Sequence, residues 1–168
     1  MKLTKLEEQG LRLAMALARG GGQMTLPELA EGERLSEALV AKVLSKLRVG
    51  GVVVASRGRN GGYELAAPPE ETAVSSVMRA LGRPLIEGCF NEEHDIEGCC
   101  PHTGGCSLRP IWETLEEKVA EILNEVHLSD LIRRESDVRD RLAEIERREK
   151  RPAKKAKKPA SRAACTKD

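Results

Sequence analysis

The sequence predicts a mainly α-helical protein with one small β-hairpin and one long helix in its second half. Apolar residues make up 40% of the chain, but it has only one Trp, one Tyr and one Phe, so aliphatic side chains must fill the core. Such a composition favours helices over a β-sandwich. Most apolar residues recur at helical spacing, and a single β-branched run is followed by a turn rich in Gly and Asn.

Caps and glycines divide the first fifty residues into three predicted helices. The first covers residues 4–19 and is ended by the triple glycine that follows it. A short second helix has Thr25 as its N-cap and ends at Gly32. The third helix is capped by Ser36 and closed by Gly50–Gly51.

A β-hairpin is predicted next, with one strand in "VVVAS", a turn in "RGRNGG" and a return strand in "YEL". Helix, short helix, helix and hairpin, in this order, are typical of a winged helix-turn-helix. In that domain the second helix of the turn enters the major groove of DNA, and the hairpin, or wing, lies against the backbone or the minor groove. Residues 1–70 are therefore predicted to form a winged helix-turn-helix DNA-binding domain.

Two helices separated by a cysteine-containing loop are predicted after the wing. Residues 71–88 form a connecting helix, residues 89–106 the loop, and residues 107–132 a long dimerisation helix with a short cap. Apolar residues of the long helix step by three and four positions, which is the spacing of a coiled-coil seam. These residues are Trp112, Leu115, Val119, Ile122 and Val126. One helix cannot cover such a stripe alone, so we expect the same helix of a second subunit to cover it, in a homodimer.

The rest of the chain, residues 133–168, is predicted to be a charged, basic and disordered tail. Residues 133–150 have sparse apolar side chains and are expected to form at most a frayed helix. Residues 151–168 are mainly Lys, Ala and Pro, with seven basic side chains and one acid. Such a composition cannot build a core.

Basic residues also concentrate in the third helix and the wing. Residues 34–63 carry six Lys or Arg and a single acid, although the protein as a whole has a net charge of only +1. A localised basic patch indicates contact with a polyanion, here a double-stranded DNA operator. The alternative is a small helical domain whose basic residues are merely solvated. The candidate DNA-contacting residues from this pattern are Ser36, Lys42, Lys46, Arg57, Arg59 and Asn60.

Four of the five cysteines lie close together, at Cys89, Cys99, Cys100 and Cys106. Paired Cys-x-x-Cys units, which are typical of a structural zinc site, are absent. Three separated thiolates on a glycine-containing loop suit an iron–sulfur cluster, which needs a fourth ligand. His94, His102 and Cys99 in the loop, or an acidic residue of another segment, are the candidates for it. Zinc, thiol redox chemistry and inert thiols remain open as alternatives. No catalytic constellation accompanies the cysteines, so an enzyme is not expected.

The first residues carry charges where a signal peptide needs an apolar run, and no apolar stretch reaches a membrane-spanning length. A cytoplasmic protein is therefore expected, without a membrane or a small-molecule substrate as partner. In a reducing cytosol, clustered cysteines are more often metal ligands or redox-active thiols than structural disulfides.

Three segments of the chain are, in order, "MKLTKLEEQGLRLAMALA", "LSEALVAKVLSKLRVGGVVVASRGRNGGYELA" and "CCPHTGGCSLRPIW" followed by "LSDLI". Together they resemble the Rrf2 (Rrf-two) family of winged-helix transcriptional regulators, in particular its iron–sulfur sensors of the IscR, NsrR and RirA type. The resemblance covers about residues 1–132. It implies a homodimer that holds a 2Fe–2S or 4Fe–4S cluster near the dimer interface, with an operator affinity that depends on the state of the cluster.

The resemblance also implies a ligand set. The family's three cysteines correspond to Cys89, Cys100 and Cys106, with Cys99 as an extra thiol that competes with Cys100 for the assignment. The histidine that IscR places three residues after the last cysteine is Arg109 here, so ligation of the IscR type is not expected. An acid that some members supply from the partner subunit corresponds to Glu8. Three cysteines with one labile ligand favour 4Fe–4S slightly over 2Fe–2S.

On the DNA side, the resemblance places base-reading positions at Ala38, Ala41 and Lys42, and the wing arginine at Arg57. Because two of the three helix positions are alanine, an operator different from that of IscR is expected.

Overall fold

The computed structural model describes residues 4–56, 58, 61–82 and 106–149. The elements are α1 (Lys5–Gly20), α2 (Leu26–Glu33), α3 (Glu37–Val49), β1 (Val53–Ser56), β2 (Gly62–Leu65), α4 (Val74–Ala80), α5 (Arg109–Glu125), α6 (Leu128–Leu131) and α7 (Glu135–Glu149). This mainly helical chain with one hairpin confirms the predicted fold class. None of the helices described is long and apolar enough to cross a membrane.

Polar side chains begin the first three helices, and those of α2 and α3, Thr25 and Ser36, are the caps that the sequence predicts. Thr25 accepts a hydrogen bond from the backbone N–H of Glu28, and the Glu28 carboxylate accepts one in return from the Thr25 backbone. The Thr25 backbone N–H and then its hydroxyl hold the pKa of Glu28 below its usual value. Ser36 caps α3 by accepting a bond from the backbone N–H of Leu39 at 3.4 Å.

The end of α2 differs from the prediction. The helix continues past Gly32 to Glu33, and the left-handed residue that ends it is Arg34, with φ of 54°. Two bonds fix this turn, from the Leu35 N–H to the Ala30 carbonyl at 2.9 Å and from the Arg34 N–H to the Glu31 carbonyl at 3.2 Å. Arg12 of α1 also stabilises this helix end, because its side chain donates a hydrogen bond to the Glu33 carbonyl oxygen at 2.7 Å.

The main core lies between α1, α2, α3 and the hairpin, and it also takes in side chains from α4 and α6. Its largest fully buried members are Leu13, Leu17, Leu29, Leu44, Leu47, Leu81, Leu128, Val40, Val43, Val53 and Val77. The side of α3 that faces this core consists of Val40, Val43, Leu44 and Leu47.

The wing is a two-stranded antiparallel sheet in which Val53 pairs with Leu65 and Ser56 with Gly62. The chain before α2 fastens it to the body, since Met24 and Tyr63 exchange two backbone hydrogen bonds of 2.9 and 2.8 Å. The wing is therefore held at a fixed position beside α2 and α3.

A second, smaller core cluster joins α4, the end of α5 and α7. It consists of Val74, Met78, Val126 and Ile145. Ile145 is 1% exposed, and Arg141 of the same helix donates to the carbonyl oxygen of Glu125, the last residue of α5, at 3.2 Å. The expectation of a disordered tail from residue 133 is therefore wrong for Glu135–Glu149, which form a docked helix. Residues 150–168 lie outside the described part of the chain.

We expect Ile145→Ala to lower the free energy of unfolding by about 2–5 kcal/mol, because it empties a fully buried site in the second cluster. Leu142→Ala on the same helix is the control. Leu142 is 38% exposed, so its truncation should change stability by about 0.5 kcal/mol or less. Urea denaturation followed by circular dichroism measures both. Equal stability of the Ile145 variant and the wild type would mean that α7 does not pack on the body.

Candidate nucleic-acid interface and cysteine site

Helices α2 and α3 form a helix-turn-helix, joined by the three residues Arg34–Ser36. The buried positions of α3 face the core, so the opposite side of the helix is presented to solvent. The residues of this outer stripe are Ala38, Lys42, Ser45 and Val49, all exposed. Among the predicted base-reading positions, Ala38 and Lys42 lie on the stripe, while Ala41 is half-buried at its edge.

Lys46 is not directed outward with Lys42. It is half-buried, and its Nζ donates to the backbone oxygen of Leu81, beyond the end of α4, at 3.4 Å. Ser36 is exposed, but its hydroxyl is occupied as the cap of α3. Both were predicted as DNA-contacting residues, and the structure gives each of them an intramolecular partner.

An open groove of about 520 Å³ lies between α3, the start of α2 and the wing. Its polar lining includes Thr25, Ser45, Arg48, Ser56 and Tyr63. Arg48 is exposed here and brings a permanent positive charge to the groove. Sequence reasoning left Ser45 and Arg48 out of the site. The helical period of α3 was the available signal for Ser45, which stands on the outer stripe. Arg48 lies beside the buried stripe, four positions after Leu44, so the period did not single it out.

The wing tip carries the remaining DNA candidates. Arg57, Arg59 and Asn60 lie outside the described residues, whereas Gly58 between them is described and has φ of 124°, a conformation that favours glycine. The strands on either side of the tip adjoin the groove through Ser56 and Gly62.

Cys106 is the one predicted cysteine ligand within the described residues, and it is a half-buried free thiol. It stands three residues before the first residue of α5, and its carbonyl oxygen accepts a bond from the Arg109 N–H at 3.2 Å. Cys89, Cys99 and Cys100 lie outside the described residues. A half-buried free thiol just before α5 is a donor of the type that an iron–sulfur cluster uses.

Glu8 is exposed on α1, and its carboxylate is 4.0 Å from the Arg12 guanidinium. Arg12 also forms an ion pair with Glu33 at 2.8 Å. In the described part of the chain, no three His, Cys, Asp or Glu side chains are grouped as a metal site. The structure therefore does not bring Glu8 and Cys106 together into a described ligand cluster.

The predicted dimer seam divides into two parts. In its first half Trp112 and Leu115 are 38% and 45% exposed, and the neighbouring Leu108 and Ile111 extend this apolar face. Val119 and Ile122 are half-buried. Val126, at 5% exposure, belongs to the second core cluster of its own chain. It is thus not available to a partner, because α4 and α7 cover it.

Comparison with known proteins identifies the chain. A model of the Rrf2 family, described as iron-dependent transcriptional regulators, matches residues 3–134. The regulator IscR of Cereibacter sphaeroides is 32% identical over 127 residues, which cover 73% of this chain and 79% of that protein. Helix α7 lies beyond the residues that the family model matches.

Two solved structures are similar in fold. IscR of T. potens has a TM-score of 0.61 and 25% identity, over 79% of this chain and 86% of that one. CymR, the global cysteine regulator of B. subtilis, has a TM-score of 0.60 and 28% identity, over 79% and 96%. Since the family model covers well over half of the sequence, this protein belongs to the Rrf2 family of transcriptional regulators, which are not enzymes.

Proposed function

We propose that this protein is a homodimeric DNA-binding regulator whose operator affinity is controlled by an iron–sulfur cluster, with 4Fe–4S favoured over 2Fe–2S. One observation carries the proposal: the segment with the clustered cysteines begins directly after α4, which packs on the recognition helix α3, and ends at α5, which presents the apolar face. A change at the cysteines therefore has covalent connections to both the DNA-binding and the dimerising elements.

DNA recognition divides between the outer stripe of α3 and the groove. The stripe enters the major groove with Lys42 as its charged side chain and with Ala38 and Val49 as small apolar contacts. Arg48 and the hydroxyls of Ser45, Ser56 and Tyr63 then face one sugar–phosphate strand, which fixes the register of α3 on the duplex. The wing arginines Arg57 and Arg59 reach the adjacent minor groove.

The cluster is held by Cys106, Cys89 and either Cys100 or Cys99, with Glu8 of the partner subunit as the fourth ligand. Cys106 and Glu8 are both accessible in the protomer, as ligands from different subunits must be before assembly. When bound, the cluster supplies a centre that iron supply, oxidation or nitric oxide can alter. The Glu8 carboxylate lies 4.0 Å from the Arg12 guanidinium, whose closer partner is Glu33 at 2.8 Å.

Anaerobic purification tests the proposal, followed by the visible spectrum and by iron, sulfide and zinc content per monomer. A brown protein with iron and acid-labile sulfide supports it, and the stoichiometry identifies the cluster type. A colourless protein with zinc would instead favour a zinc-stabilised regulator. No metal after anaerobic reconstitution would favour a thiol switch. The similarity to CymR, the global cysteine regulator of B. subtilis, is the observation that favours this second function.

Arg48→Gln is expected to weaken binding to all duplexes about equally and to reduce the slope of log K against log salt concentration by about 0.9, because it removes one phosphate contact. Arg139→Gln removes the same charge from α7, where the side chain pairs with Glu135, and should leave the slope unchanged. Titrations at several salt concentrations measure both. An unchanged slope for Arg48→Gln would remove the groove from the interface.

A further inference from the structure

The last turn of α4 is packed tightly between α1 and α3. Leu81, just after the helix, is 1% exposed, and Gly10 of α1 makes room for it, since a Cβ on Gly10 would lie 2.6 Å from Leu81 Cδ1. On the other side Gly50, the C-cap of α3, faces Ala80. A Cβ on Gly50 would lie 2.2 Å from the Ala80 Cβ and 2.6 Å from its Cα, distances that no real side chain adopts.

Lys46 adds a polar contact at the same place. Its ammonium group donates to the Leu81 carbonyl oxygen at 3.4 Å. Carbonyl groups at the end of a helix lack backbone partners, so a lysine there is favourable. The recognition helix α3 is thus joined to the end of α4 by a backbone-to-backbone packing contact and by a side-chain hydrogen bond.

The contacts of α3 with Ala80 and Leu81 lie directly before the cysteine segment in the sequence. Gly82 is the next residue after Leu81, and the segment 83–105 with Cys89, Cys99 and Cys100 follows it directly. On the N-terminal side of that segment, Ala80–Gly82 is therefore the covalent connection between the cysteines and the DNA-binding core. Ala80 approaches the Gly50 backbone so closely that no Cβ fits between them, so a displacement of Ala80 toward α3 is opposed directly by the end of the recognition helix. The cavity of about 280 Å³ that Gly50 and Ala80 also line leaves other directions open.

We propose that the Lys46–Leu81 and Gly50–Ala80 contacts transmit the state of the cysteine segment to the recognition helix, and that Lys46 is a positioning residue and not a phosphate ligand. This inference rests on the proposed function, because it concerns how that function is regulated. It differs from a direct DNA role for Lys46 in a measurable way. If Lys46 holds α4, its substitution should change the ratio of DNA affinities between the two regulatory states. If Lys46 binds a phosphate, its substitution should instead reduce the salt dependence of DNA binding in both states.

The test is the ratio of duplex affinities between the anaerobically reconstituted and the chelator-stripped protein, on duplexes selected from a random pool by the wild type. If the wild-type ratio is about tenfold, Lys46→Met should reduce it to about threefold or less with an unchanged salt slope, and Lys46→Arg, which keeps a donor, should restore it. Gly50→Ala should bring the ratio near one. Gly32→Ala is the matched control, because a Cβ on Gly32 meets nothing within 4 Å.

The outcomes separate the two proposals. A wild-type ratio of one would overturn the proposed sensing function itself, and the inference with it. A wild-type ratio well above one that persists in Lys46→Met overturns the inference alone, as does a salt slope that falls by about 0.9 in that variant. If Gly50→Ala does not fold, the affinity ratios of Lys46→Met and Lys46→Arg still test the inference. Amide hydrogen exchange in residues 46–50 is the second readout. Its rate should differ between the reconstituted and the stripped wild type, and this difference should disappear in Lys46→Met.

Discussion

Cys106→Ala is expected to lose the proposed iron–sulfur cluster completely, with iron and labile sulfide at background after anaerobic reconstitution. A cluster of this kind requires its thiolate ligands, and alanine offers no donor at all. The variant should still fold, because Cys106 is half-buried and stands before α5 and not within a core cluster. Its operator affinity should equal that of the stripped wild type and should no longer respond to reconstitution.

Cys165→Ala is the matched control, since it removes the one cysteine that lies far from the cluster segment in sequence. It should bind iron and sulfide as the wild type does. The same assay applied to Cys99→Ala and Cys100→Ala identifies which of the two adjacent thiols is a ligand. Retention of a full cluster by Cys106→Ala would contradict the ligand assignment. An affinity for operator that is the same in the variant, the stripped protein and the loaded protein would contradict control by the cluster.

Local signals in the sequence were sufficient for the DNA-binding half of the fold. Capping side chains, glycines and apolar spacing act within a few residues, so the starts of α2 and α3 and the position of the hairpin could be predicted. The end of α2 could not, because the left-handed Arg34 depends partly on a contact between Arg12 and Glu33, 21 positions apart. The intrinsic preference of glycine for a left-handed helix end favoured Gly32 instead.

The candidate site was less predictable for the same reason. Lys42 and Lys46 are equivalent in the periodicity of α3, and only the packing of α4 distinguishes the outward Lys42 from the half-buried Lys46. Helix α7 has few apolar residues, and Ile145 becomes a core residue only through Val74, Met78 and Val126, which come from other helices. Contacts that are distant in sequence decided both cases, and no window of the sequence contains them.

Leu115→Glu is expected to convert the proposed dimer to a monomer and to reduce operator affinity by a factor on the order of 10³. Leu115 is 45% exposed in the protomer and lies on the apolar face of α5 that continues through Ile111 and Trp112. In a two-fold symmetric interface each substitution enters twice, and an unpaired carboxylate costs several kcal/mol when it is buried against apolar groups. A dimer engages two half-sites, so its loss removes an affinity gain of about 10²–10⁴.

The choice of position matters, because the predicted seam does not continue uniformly along α5. A charge at Val126 would disrupt the second core cluster of the protomer, so the resulting loss of binding would report unfolding. Leu142→Glu, on α7 and of similar exposure, is the matched control and should remain dimeric. Sedimentation velocity and thermal melting of both variants separate dissociation from unfolding. A Leu115→Glu protein that is folded and still dimeric would show that the exposed face of α5 is not the dimer interface, since the same charge would then have remained in solvent.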